Sequence, residues 1–99
     1  MLAAKIMIIK RLKEARLRAG LSQYKLGVLA GIDEASSSAR MNQYEKGKHQ
    51  PDQDTARRIA QVLDLPLAYF YAEDDELAAV ILAFHKKSQD GTTSDLNSK

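Results

Sequence analysis

Between Gly20 and Gly47 the sequence spells two short helical segments, each closed by a glycine, and this spacing confines the chain to small helices packed around tight turns. Ser22 is an N-cap residue, Leu26, Leu29 and Ala30 recur behind it at helical spacing, and Gly31 stops the segment so that Ile32 turns back toward a core. A second segment begins within Ser36-Ser37-Ser38 and ends at Gly47. A helix pair joined through a glycine-bearing turn holds its second helix by one face and leaves the other face outward.

The rest of the chain extends the pattern. Ile8, Leu12, Ala15 and Ala19 form one stripe of a first helix from about Lys5 to Ala19, with Lys10, Arg11, Lys13, Glu14, Arg16 and Arg18 on the remaining positions, and Gly20 ends it. Helix 2, from about Gln23 to Ala30, carries Gly27 in its interior, where glycine costs about 1 kcal/mol relative to alanine and permits a neighbouring helix to come close. Pro51-Asp52 starts a fourth helix whose Ala56, Ile59, Ala60 and Leu63 face inward. After Leu65-Pro66 a short helical turn, Leu67 to Tyr71, offers Leu67 and Phe70 to the core. No strand pattern and no internal repeat is present, so the fold class is all-α, a five-helix domain with an additional C-terminal helix.

That last helix, Asp74 to Lys87, has acids in its first turn and lysines in its last, matching the macrodipole at both ends. Leu77, Val80, Ile81 and Phe84 make one apolar stripe, and Ala78, Leu82 and Ala83 carry it around the cylinder. A helix apolar on more than one face buries more than one face, which makes this stripe the candidate dimer contact; the alternative is a lid over its own core. Residues 88–99 are polar, rich in Gly, Ser, Thr, Asp and Asn, and read as a disordered tail. The expected organisation is thus 1–72 as the main domain, 73–87 as the C-terminal helix and 88–99 as a flexible tail.

Composition narrows the function. Ninety-nine residues make one small domain with no room for a separate catalytic unit. Without cysteine there is neither a disulfide nor a thiolate metal site, which fits a reducing cytoplasm. The amino-terminal apolar run is broken by Lys5 and Lys10 and reads as neither a signal peptide nor a membrane span, so a cytoplasmic, nucleoid-associated location and no membrane partner are expected. His49 and His85 have no neighbouring ligand set, the serine run suits capping, and Glu73 to Glu76 suits a helix start, so no metal, no cofactor and no enzymatic activity are expected. Residues 1–32 carry seven basic side chains against Glu14 alone, while residues 65–99 carry six acidic against three basic. Such asymmetry suggests one face turned toward a polyanion; a merely solvated basic face on helix 1 is the alternative.

In order and spacing, Arg11-Leu12-Lys13-Glu14-Ala15-Arg16, Gly20-Leu21-Ser22-Gln23, Leu26, Ala30-Gly31-Ile32, Tyr44-Glu45-Lys46-Gly47-Lys48, Pro51, Ile59-Ala60 and Leu63-Asp64-Leu65-Pro66 resemble the lambda-repressor and Cro-like helix-turn-helix family, the XRE family. The resemblance covers about Ile8 to Tyr71 and implies a lambda-repressor-like DNA-binding domain whose third helix enters the major groove of duplex DNA. Its one departure is a surplus of about four residues at Asp33-Glu34-Ala35-Ser36, so either the turn bulges or helix 3 begins early. Counting back from Glu45 and Gly47 puts Met41 and Tyr44 inward and Ser37, Ser38, Ala39, Arg40, Asn42 and Gln43 on or near the DNA side. Asn42 and Gln43 suit an adenine edge and Arg40 a guanine edge. By the resemblance, Gln23 meets a phosphate at the start of helix 2, Lys46, Lys48 and His49 hold the backbone, and Arg16 and Glu45 form a structural pair. The expected function is a repressor acting as a homodimer on a pseudo-palindromic operator. The rival reading is an antitoxin-like or protein-interaction module that binds a protein partner through its last helix.

Overall fold

Every helix of the first half stops where its sequence offers a residue able to turn the backbone. The computed structural model describes residues 7–89. Among these it is all-helical, with α1 Ile9–Arg18, α2 Gln23–Leu29, α3 Ser37–Glu45, α4 Gln53–Leu63 and α5 Asp75–Lys87, and 3-10 turns at Glu34–Ser36 and Leu67–Tyr71. The N–H of Ile32 donates to Gly27 O at 2.9 Å and that of Lys48 to Gln43 O at 2.9 Å, the six-to-one closure of a Schellman motif. Leu65 closes α4 in the same way on Ala60 O at 3.0 Å, with Asp64 in the left-handed region at φ 57°. A short polar side chain tolerates that conformation where a branched one would not.

α1 starts at Ile9, later than the apolar periodicity implies; Lys5 itself lies outside the described residues. The chain before it is held extended because Met7 N–H donates to Gln50 Oε1 at 2.9 Å and Ile8 N–H to Phe70 O at 2.7 Å. Two further expectations for this helix are corrected. Arg11 is buried rather than solvated, drawn in by fixed oxygen acceptors, and Ala19 at the C-cap is exposed; Arg16 is buried too, in the pair with Glu45 that the resemblance implies. In α2, likewise, Leu29 is exposed although it keeps helical spacing with Leu26.

Leu12, Leu26, Met41, Ile59 and Phe70 form the fully buried centre, with Ala15, Ala30, Tyr44, Ala56, Ala60 and Leu63 around them. α2 and α3 pack closest at Gly27, where a Cβ would collide with the Ser37 hydroxyl and stand 3.0 Å from Met41 Cγ. The surplus residues are absorbed by the 3-10 turn Glu34–Ser36, so the turn bulges and α3 begins at Ser37. Asp52 caps α4 by accepting the Thr55 N–H at 2.7 Å. In the 67–71 turn Phe70 is buried as expected, but Leu67 is only half-buried and Tyr69 takes the second inward place, edge-on to Phe70 with ring centroids 5.2 Å apart.

α5 opens on Asp74, whose Oδ1 accepts the Glu76 N–H at 2.8 Å, and lays Ala78 with Ile81 and Leu82 against the core. Leu77, Val80 and Phe84 remain 50%, 62% and 72% exposed, so the stripe splits: Ile81 is partly covered and the other three are open. Ser88 and Gln89 continue the helix as a wider turn; residues 90–99, where most of the disordered-tail expectation falls, lie outside the described residues. No described helix is long and apolar enough to cross a membrane.

Candidate nucleic-acid interface

α3 is mounted on the rest of the fold by a buried ion pair. Arg16 Nε donates to Glu45 Oε2 at 2.5 Å and Nη2 to Oε1 at 3.2 Å, while Nη1 donates to Leu21 O at 2.8 Å. This planar two-pronged contact between α1 and the last residue of α3 fixes an angle as well as a distance. Gln23 adds a second tie, its Nε2 donating to Glu45 Oε1 at 3.0 Å and to Asn42 Oδ1 at 3.3 Å. Gln23 and Asn42, both expected on the DNA side, are therefore brought together at the seam between α2 and α3, and both are half-buried.

The opposite face of α3 is open. Ser38, Ala39 and Arg40 are exposed, and Gln43 is half-exposed. Ser37 is the exception among the expected contacts: its side chain is fully buried, and its hydroxyl donates to Tyr24 O at 2.8 Å beneath Gly27. It fastens α2 to α3 and offers no side-chain group to a ligand. Arg40, Gln43 and His49 come together around a cleft of about 360 Å³ that Tyr44, Gln50 and Asp52 also line. Lys46 and Lys48 are exposed on the turn that follows, whose backbone returns to Gln43 O and so places both residues without further support.

Gln50 and Asp52 were not among the expected site residues. The sequence marks Asp52 as helix punctuation, directly after Pro51 at the start of α4, and nothing local marks Gln50. The Asp52 carboxyl is held below the ordinary value of 3.8, first by the backbone N–H of Thr55, then by the Thr55 hydroxyl, with smaller contributions from the Arg58 and Arg40 charges and partial opposition from burial. A carboxylate that stays ionised to lower pH than usual thus shares the cleft with Arg40. Among the described residues no group of three or more His, Cys, Asp or Glu side chains could hold a metal ion.

The Helix-turn-helix family matches residues 12–70, more than half of the chain, from within α1 to within the turn before α5. The chain belongs to the XRE-type helix-turn-helix family. This helix-turn-helix protein is also similar to a solved structure described as "Crystal structure of transcriptional regulator BswR", at 45% sequence identity and a TM-score of 0.78, over 94% of this chain and 95% of that one. Nothing among the curated proteins matches it. The family and fold expected from the motifs are therefore those found, an all-helical lambda-repressor-like domain.

Proposed function

We propose that this helix-turn-helix protein is a sequence-specific double-stranded DNA-binding transcriptional regulator, a repressor that acts as a homodimer on a pseudo-palindromic operator. The observation that carries the reading is the open polar face of α3, with Arg40 and Gln43 beside His49 and the exposed Lys46 and Lys48, on a helix clamped from behind by Arg16 and Glu45. A helix held this way can be laid in a major groove about 12 Å wide without losing its orientation. Arg40 and Gln43 are the base readers, for guanine and adenine edges respectively, with Ser38 and Ala39 beside them at the first turn. Lys46, Lys48 and His49 bind phosphates and add affinity without sequence preference. Gln23 and Asn42 act first as ties that set the pitch of α3.

The homodimer is supported by α5. Leu77, Val80 and Phe84 are open, and the acidic first turn and basic last turn of the helix make it complementary to an antiparallel copy of itself. An isologous contact of that kind places two reading helices about a two-fold axis, with half-sites about 34 to 36 Å apart or a multiple of that spacing.

The test is selection of bound sequences from a random duplex library at about 150 mM salt, where non-specific binding is weak, near 10⁻⁴ to 10⁻⁶ M. Recovery of a two-fold motif is the expected result. Absence of any enriched sequence overturns the regulator reading in favour of a protein-interaction module that uses the exposed face of α5, whose partner binding would be nearly insensitive to salt.

A further inference from the structure

Arg11 is a buried cation on the side of α1 that leads to α5, not on the reading face. Its guanidinium stands over the Tyr69 ring, 5.7 Å from the centroid. Nε donates to Ala72 O at 2.8 Å, and Nη2 to Glu73 O at 3.5 Å and to Asp75 Oδ1 at 3.0 Å. Lys10, the preceding residue, reaches the same Asp75 carboxylate at 3.0 Å. Every one of those oxygens belongs to the connection 72–74 or to the first residue of α5.

α5 is seated along its length by Ala78, Ile81 and Leu82 on the core and at its far end by His85 Nε2 on Asp64 O at 2.9 Å, so its remaining freedom is at the near end, where a few residues at the end of an element can absorb a change of direction. Here the joint is closed by a planar group whose donors point at two carbonyls and one carboxylate, a geometry that a single-point ammonium cannot reproduce. Burying a guanidinium against a carboxylate that is itself 68% exposed gives a poor return in stability. The arrangement is better suited to holding a direction. α1 also carries Arg16, and through Glu45 it carries α3, so Arg11 and Arg16 connect both ends of the molecule to one rigid helix.

We propose that Arg11 is a positioning residue for operator recognition: by fixing the direction of α5 relative to the α1–α4 unit, it fixes the separation of the two reading helices and so selects the spacing between half-sites. The proposal rests on the α5 homodimer reading. Adding one base pair between half-sites moves them apart by about 3.4 Å and turns one against the other by about 35°. A stiff joint rejects that displacement, and a loosened one accommodates it.

The experiment takes the selected half-site, arranges two copies at separations varied one base pair at a time, and competes this library for the full chain and for Arg11→Met, Arg11→Lys and Asp75→Ala. Affinity for an isolated half-site and mass by sedimentation equilibrium are measured alongside. The wild type is expected to enrich one spacing over its neighbours by at least about tenfold, and Arg11→Met and Asp75→Ala by less than about threefold, with half-site affinity and dimer mass unchanged. Arg11→Lys falls between them. Variants that remain dimeric and keep the wild-type spacing profile overturn the proposal, while leaving the dimer reading intact. A wild type that is monomeric and indifferent to spacing overturns both, and the two failures are told apart by its mass. Asp75 is exposed, so its variant decides the matter even if Arg11→Met does not fold.

Discussion

Glu45→Ala and Gln43→Ala, two residues apart on α3, have opposite consequences. Removing the Glu45 carboxylate leaves Arg16 buried with only the Leu21 carbonyl as partner and takes from Gln23 one of its two acceptors. Stranding one member of a buried pair costs about 3 to 5 kcal/mol, a large part of the roughly 5 to 15 kcal/mol that a domain of this kind has in total. At about 4 to 8 °C per kcal/mol for a domain of this size, the melting temperature falls by at least about 12 °C. Gln43 is half-exposed and its side chain lies in the open cleft, so its removal stays within about 0.5 kcal/mol in stability. It loses about 1 to 3 kcal/mol of base recognition, which raises the Kd for the operator by about 5- to 150-fold. Calorimetric melting and operator titration on both variants separate the two effects. A double change of Arg16 and Glu45 to methionine recovers at least half of the lost melting temperature, because apolar residues of similar volume do not leave a charge unpaired. Equal melting losses for Glu45→Ala and Gln43→Ala, or no recovery in the double variant, would refute the division of α3 into a holding face and a reading face.

Three further outcomes follow from the packing and the charges. Gly27→Ala drives a methyl into the Ser37 hydroxyl and costs about 1 to 3 kcal/mol despite the gain in helix propensity, and adding Ser37→Ala recovers part of it, as chemical denaturation will measure. Asp52 is more acidic folded than unfolded, so its contribution is complete above the unfolded value of 3.8 and disappears as pH falls through the lower folded value; Asp52→Asn keeps the cap and flattens this part of the acid melting profile. Phe84→Asp leaves the melting temperature of the monomer fold nearly unchanged and shifts the sedimentation profile from dimer to monomer, since Phe84 touches solvent over most of its surface.

Much of the architecture was legible because it depends on local chemistry. Gly20, Gly31 and Gly47 mark the helix ends they were expected to mark, and Ser22 and Asp52 accept N–H groups at the helix starts. The inward set of α4 follows from spacing alone. What could not be read is tertiary. Periodicity treats Arg11 as a surface charge because it cannot see the carbonyl and carboxylate oxygens, about sixty residues away, that pull it inside; for Arg16 only the family resemblance supplies the partner, Glu45. Ser37 is misplaced for the same reason: a serine in a serine run looks like a cap until Gly27 brings Tyr24 O within reach of its hydroxyl.

The corrected residues change how the candidate site works. Three of the side chains expected on or near the DNA side make contacts inside the protein: Ser37, fully buried, to Tyr24 O, and the half-buried Gln23 and Asn42 to each other, with Gln23 also on Glu45. Their polarity is used on backbone and side-chain oxygens of the fold itself, which fixes α3 along its buried edge. On the proposed DNA-binding reading, the α3 side chains left open to bases are Ser38, Ala39, Arg40 and Gln43, with half-buried Asn42 at the seam and the Asp52 carboxylate across the cleft. On that reading a surface this small recognises few base pairs, so a long operator calls for two copies at a defined separation, and the proposed stiffness of the joint at Arg11 then matters as much as the chemistry of α3.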